Sequence, residues 1–194
     1  MEKTIINRID HVSIAVRDFR KAAGFFTRVL GAAPGAASSD KGLKFLAETF
    51  SLGDLSRIEL MTATRVGSFL DRFLAEREGV HHICLQTDDI RRARQRLDAE
   101  GVPYFGYNEY EGGGWKELFI HPRDAFGVLV QIAELTPDDF IGNEAKLPEG
   151  ARWRVEEGPS GKTLTLAHPG GGTVRVDLTG DEADRLAKEL GSRL

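Results

Sequence analysis

The sequence predicts an α+β fold: two βαβββ modules, about residues 8–61 and 80–134, followed by a small β-strand and helix extension over 151–194. Three observations predict it. One strand–helix unit occurs twice at a constant offset. Each copy is followed by further strand-like segments. The periodicity then stops after residue 135.

The first strand is I-D-H-V-S-I-A-V, residues 9–16. It alternates, with Val12, Ile14 and Val16 on one face and His11, Ser13 and Ala15 on the other. Asp18 takes the N-cap position of a helix over 19–30, where Phe19, Ala22, Ala23, Phe26 and Leu30 fall at helical spacing and Gly31 stops it. Residues 43–52 and 57–61 read as strands. The connection over 62–79 holds a helical stretch at 66–78, carried by Phe69, Phe73 and Leu74.

V-H-H-I-C-L-Q-T, residues 80–87, repeats the opening strand. Ile83 and Leu85 are greasy, with His82, Cys84 and Gln86 opposite. Parity sends His81 to the helix-packed or rim side, in a structural role. Asp89 caps a helix carrying Ile90, Ala93 and Leu97, and Gly101 ends it. An offset of 71 residues lays His82 on His11, Asp89 on Asp18, Arg91 on Arg20 and Ala93 on Ala22, which argues for an internal duplication. Strands are expected at Tyr104–Tyr107, 115–121 and 128–134.

The first 135 residues thus form one domain, and 136–150, with its Pro and Gly, reads as a linker. The extension offers R-W-R-V, T-L-T-L-A and T-V-R-V-D-L as strands. A helix from Asp181 to Leu190 follows, with a capping-box pattern at Thr179 and Glu182. A packing or dimerisation role is expected for it, and a homodimer for the whole.

Composition narrows the function. With 41% hydrophobic and 29% charged residues the chain is of soluble globular type. A net charge of −4 gives no footing for nucleic acid or a membrane surface, and the arginines of 91–96 read as a solvated helix face. The single Cys84 rules out an intrachain disulfide. No apolar run is long enough for a signal core or a membrane span, so a cytoplasmic protein is expected.

The duplication points to a site. In R57-I-E-L-M61, Ile58 and Leu60 share the greasy face and Glu59 lies opposite. In V128-L-V-Q-I-A133, Val128, Val130 and Ile132 leave Gln131 opposite. Each repeat therefore places one His and one Glu or Gln on the face turned away from its helices: His11 with Glu59, and His82 with Gln131. Two imidazoles, a carboxylate and an amide oxygen make a mixed shell suited to a divalent Zn, Ni, Co, Mn or Fe ion. Such an ion is a Lewis acid for a carbonyl whose neighbouring C–H is ionised.

These segments, together with F-I-H-P-R-D-A-F-G-V-L-V-Q-I, resemble the vicinal-oxygen-chelate superfamily. That superfamily includes glyoxalase I, bleomycin-resistance proteins, extradiol dioxygenases and, most similar to this chain, methylmalonyl-CoA epimerases. The resemblance covers about residues 8–135. It implies modules curled into a cup, a metal held by His11, Glu59, His82 and Gln131, and a small-molecule substrate of acyl-CoA type. In the epimerases the carboxylate stands on the last strand and the amide at the Glu59 position, so the two have exchanged places here. An amide takes no proton, so Gln131 cannot act as acid or base. Glu48 and Glu59 are the carboxylates expected to carry catalysis, with Glu117 a weaker candidate and no decisive physical argument among the three.

The function implied is a metal-dependent isomerase acting beside a carbonyl. A glyoxalase I-like or sugar-ketone isomerase and a non-catalytic small-molecule binding protein are the alternatives. A dioxygenase fits less well, because its carboxylate ligand would stand where Gln131 does.

Overall fold

The computed structural model describes residues 4–53, 56–110, 114–136, 139, 146–168 and 171–192. The chain divides into two compact units, Met1–Phe140 and Ile141–Leu194. Residues 137, 138 and 140–145, the middle of the expected linker, lie outside the described residues.

The first module of unit one runs β1 (Arg8–Ala15), α1 (Phe19–Gly24), β2 (Ala33–Asp40), β3 (Phe45–Ser51) and β4 (Arg57–Ala63). The short helix α2 (Asp71–Glu76) connects it to β5 (Gly79–Thr87), α3 (Ile90–Ala99), β6 (Phe105–Glu109), β7 (Trp115–Ile120) and β8 (Val130–Leu135). All eight strands form one curled mixed sheet, a half-barrel in the order β2-β3-β4-β1-β5-β8-β7-β6. β1 and β5 are antiparallel at its centre, each flanked by the parallel last strand of its own module.

The caps are as the side chains require. Asp18 accepts from the Lys21 amide, and Asp89 accepts from the Arg91 and Arg92 amides. Gly31 and Gly101 close the two helical stretches at φ 71° and 66°, where a Cβ would be strained. The first stretch is not uniform, because after Gly24 it widens into a π turn over Phe25–Val29. The expected connecting helix is shorter, reduced to 71–76. β8 begins at Val130, not Val128.

β2 is absent from the sequence reading. A-P-G-A-A-S-S-D has neither β-branched residues nor alternation, and most of it is exposed. It is an edge strand held by pairing with β3, with an irregularity between Pro34 and Ala37.

The convex face carries α1 and α3, while α2 packs Leu74 against Ala15, Ala47 and Met61 on the other face. Ile90, Ala93 and Leu97 of α3 pack on Leu118, Ile120, Val130 and Ile132. Phe19, Ala22, Ala23 and Phe26 pack on Val16, Phe50 and Leu60. Each fully buried Leu or Ile contributes about 1.5–3 kcal/mol, which fixes strand parity and leaves the alternate residues facing the cup.

Unit two is β9 (Trp153–Gly158), β10 (Gly161–Ala167) and β11 (Thr173–Thr179), an antiparallel sheet in the order β11-β10-β9, followed by α4 (Gly180–Gly191). The capping box between Thr179 and Glu182 is formed on both sides. Register puts Trp153, Val155, Leu164, Leu166, Val174 and Val176 on one sheet face, most of it exposed. No helix among the described residues is long and apolar enough to cross a membrane.

Candidate metal centre

The four donors come from the strands expected to carry them. On the concave face His11 of β1 stands beside Arg57 of β4 and Cys84 of β5, and Ser13 stands beside Glu59 and His82. Gln131 of β8 is paired with Cys84. His11, His82 and Gln131 are buried, and the Glu59 side chain keeps 17% exposure.

The polar atoms converge. Glu59 Oε2 lies 3.7 Å from His11 Nε2 and 3.9 Å from His82 Nε2, and His82 Nε2 lies 3.0 Å from Gln131 Oε1. Two donors each about 2.1 Å from one ion, at right angles, are about 3 Å apart, so these spacings are on the scale of a shared cation. Ser13 Oγ donates to Glu59 Oε2 at 2.6 Å and steadies it.

His11 supplies the test of fit. Its Nδ1 lies 2.8 Å from Asp10 Oδ2. A carboxylate only accepts, so Nδ1 carries the proton, and in the neutral ring Nε2 presents its lone pair. That Nε2 is buried with no hydrogen-bond partner, aimed at Glu59 and His82. A buried acceptor left this way is costly without a ligand. The residues therefore fit a divalent cation.

Two β-bulges shape the site. Between Ile9/His11 and Leu85/Cys84 the extra residue is Asp10; between Ser13/Ile14 and His82/Val80 it is His81. Each extra residue precedes a donor histidine, and the two are related by the repeat offset. Each also meets that histidine's Nδ1: His81 Nδ1 lies 3.0 Å from His82 Nδ1. His81 thus meets helix α2 through Phe73 and His82 through its Nδ1. It sits beside His82, packed against Phe69 and Phe73.

The electrostatics follow. Burial would raise the Asp10 carboxyl, but His11, Arg57 and Arg8 outweigh it and hold it well below the usual carboxylate range. Burial, with the neighbouring His11 and His81 rings, pushes His82 far below the ordinary imidazole value, so it is neutral. A second grouping, Asp10, His11 and Cys84, shares His11. There Asp10 is already paired with Arg57 and Arg8, and burial pushes the Cys84 thiol up.

The structure does not bring Glu48 to the four donors. Glu48 pairs with Leu60, and Thr49 pairs with Glu59. Opposed residues of antiparallel strands share a face, so Glu48 lies with Leu60 on the helix-packed side. Glu117 of β7 does reach the site. Its Oε2 accepts from Gln131 Nε2 at 2.6 Å and from Trp115 Nε1 at 2.9 Å, and its Oε1 accepts from Tyr110 at 2.9 Å. The signal was available in W115-K-E-L-F-I120: Leu118 and Ile120 face α3, which leaves Trp115, Glu117 and Phe119 for the cup. Asp10 and Arg57 were not foreseen, because a bulge leaves no mark in an alternating pattern.

Comparison with known proteins gives a consistent picture. An ethylmalonyl-CoA/methylmalonyl-CoA epimerase of Cereibacter sphaeroides is 36% identical over 137 residues, covering 68% of this chain and 100% of that protein. The human mitochondrial methylmalonyl-CoA epimerase is 31% identical over 134 residues, covering 66% of this chain and 74% of that protein. The crystal structure of methylmalonyl-CoA epimerase from Mycobacterium tuberculosis superposes with a TM-score of 0.64 at 25% identity, covering 71% of this chain and 93% of that one. The family model for the glyoxalase/bleomycin resistance protein/dioxygenase superfamily matches residues 10–119. On this match, and on the paired modules and the cup they form, the chain belongs to the glyoxalase/bleomycin resistance protein/dioxygenase superfamily.

Proposed function

We propose that this chain is a metal-dependent epimerase acting on a malonyl-type acyl-CoA thioester, at the carbon between its two carbonyl groups. The observation that carries the proposal is the convergence of Glu59 and His82 on the orphaned His11 Nε2, with Gln131 Oε1 against His82 Nε2. The names of the relatives support the acyl-CoA class.

A divalent ion held by these four residues supplies Lewis acidity, which eases ionisation of a C–H bond beside a carbonyl. The remaining work falls to the chain itself. Asp10 and His81 orient the two imidazoles through their Nδ1 atoms. Gln131 binds through its amide oxygen and moves no proton. Glu59, half-buried and held by Ser13, is a carboxylate able to carry the α-proton on one side of the substrate.

Metal titration of chelator-treated protein should show one tight site per chain, lost in His82→Ala. The metal-loaded protein should exchange the α-hydrogen of methylmalonyl-CoA or ethylmalonyl-CoA in deuterated water. Metal binding without exchange would sink the epimerase reading and favour another isomerase of the superfamily. Refusal of every divalent metal would leave a small-molecule binding protein.

A further inference from the structure

Inverting a carbon requires a proton to leave one face and another to arrive on the opposite face. Glu59 supplies one carrier. Gln131, an amide, supplies none. We infer that Glu117, on the neighbouring strand β7, is the second acid/base of this site; this rests on the epimerase reading above.

Strand pairing brings the carboxylate and the amide together. Glu117 and Gln131 stand on the same face of adjacent strands, Glu117 opposite Ala133 and Gln131 opposite Phe119. The acceptor-only carboxylate fixes how the amide is turned: Nε2 donates to Glu117 at 2.6 Å, and Oε1 is left facing His82 at 3.0 Å. A glutamate at 131 would press a second carboxylate onto Glu117 at that separation, a repulsive pair in a partly buried setting. The amide at 131 and the carboxylate at 117 are therefore one coupled arrangement. Glu117 stays half-buried, open to the cup, while Trp115 and Tyr110 hold its orientation. Glu59 and Glu117 belong to different modules, on β4 and β7.

The step balances within the site. Glu117 takes the α-proton, the C–H bond breaks, and its electron pair passes into the adjacent carbonyl, giving an enolate. Protonated Glu59 returns a proton to the opposite face, and both carboxyls re-equilibrate with water. The reverse direction exchanges the two roles.

Glu117→Gln tests this. Metal titration should be unchanged within about two-fold, while epimerisation falls by about 10²–10⁴-fold. Solvent deuterium should still wash into one epimer, the one whose proton faces Glu59. A merely structural Glu117 would depress exchange from both epimers alike, and that result, or undiminished epimerisation, overturns the assignment. Adding Gln131→Glu to Glu117→Gln exchanges carboxylate and amide between the two strands and should recover at least about ten-fold of the loss; no recovery counts against the coupling. No exchange in the metal-loaded wild type overturns the epimerase reading, and the assignment with it. Exchange in the wild type that survives intact in Glu117→Gln overturns the assignment alone.

Discussion

At the scale of single residues, the site depends on which nitrogen of each histidine is free. Asp10 fixes His11 and leaves Nε2 for a ligand, whereas His82 is met at both nitrogens, Nδ1 by His81 Nδ1 and Nε2 by Gln131 Oε1, each at 3.0 Å. His81 and His82 are both held below the ordinary imidazole value, His81 by burial and then Arg77. The unfolded chain titrates these rings near about 6.5, so on acidification it gains protons before the folded chain does. Stability of the metal-free protein is therefore lost as pH falls below that value, by up to about 1.4 kcal/mol per pH unit for each ring. Thermal unfolding of chelator-treated protein should show the midpoint dropping from about pH 7 to about pH 5.5. A flat profile would mean that the rings are open to water.

At the scale of elements, the two bulges do what the regular ladder cannot. A strict alternation would send Asp10 and His81 to the helix face. One extra residue in each of β1 and β5 turns both toward the donor that follows. Asp10 is then locked by Arg57 of β4, both side chains being buried, so one ion pair ties the strand of His11 to the strand of Glu59. Arg57→Met would leave the Asp10 carboxylate buried with only Arg8 and His11, at a cost of about 3–5 kcal/mol. Urea denaturation reads this as a lower midpoint with an unchanged slope, whereas a loss under about 1 kcal/mol would show that Arg8 suffices.

At the scale of the whole molecule, the two units carry different side chains. Unit one holds the complete donor set. Unit two presents an apolar sheet face with Trp153 at 64% exposure, while Trp115, the other tryptophan, is half-buried against Glu117. Acrylamide should therefore quench mainly Trp153, and Trp153→Phe should remove most of the quenchable emission. If quenching barely changes, that face is covered in solution. The sequence by itself determined the modules, their duplication, the helix caps, and the parity that puts His11, Glu59, His82 and Gln131 on one face, because periodicity and burial act locally and are written in residue type. It could not determine β2, whose residues carry no strand signal and are ordered by their neighbour, nor the bulges, which cost one residue and leave no pattern. Above all, the sequence favoured Glu48 and Glu59 and ranked Glu117 behind them. Only the register of β3 on β4 and of β7 on β8 places them, turning Glu48 to the helices and Glu117 onto the Gln131 amide, because pairing between strands sets which side chains meet.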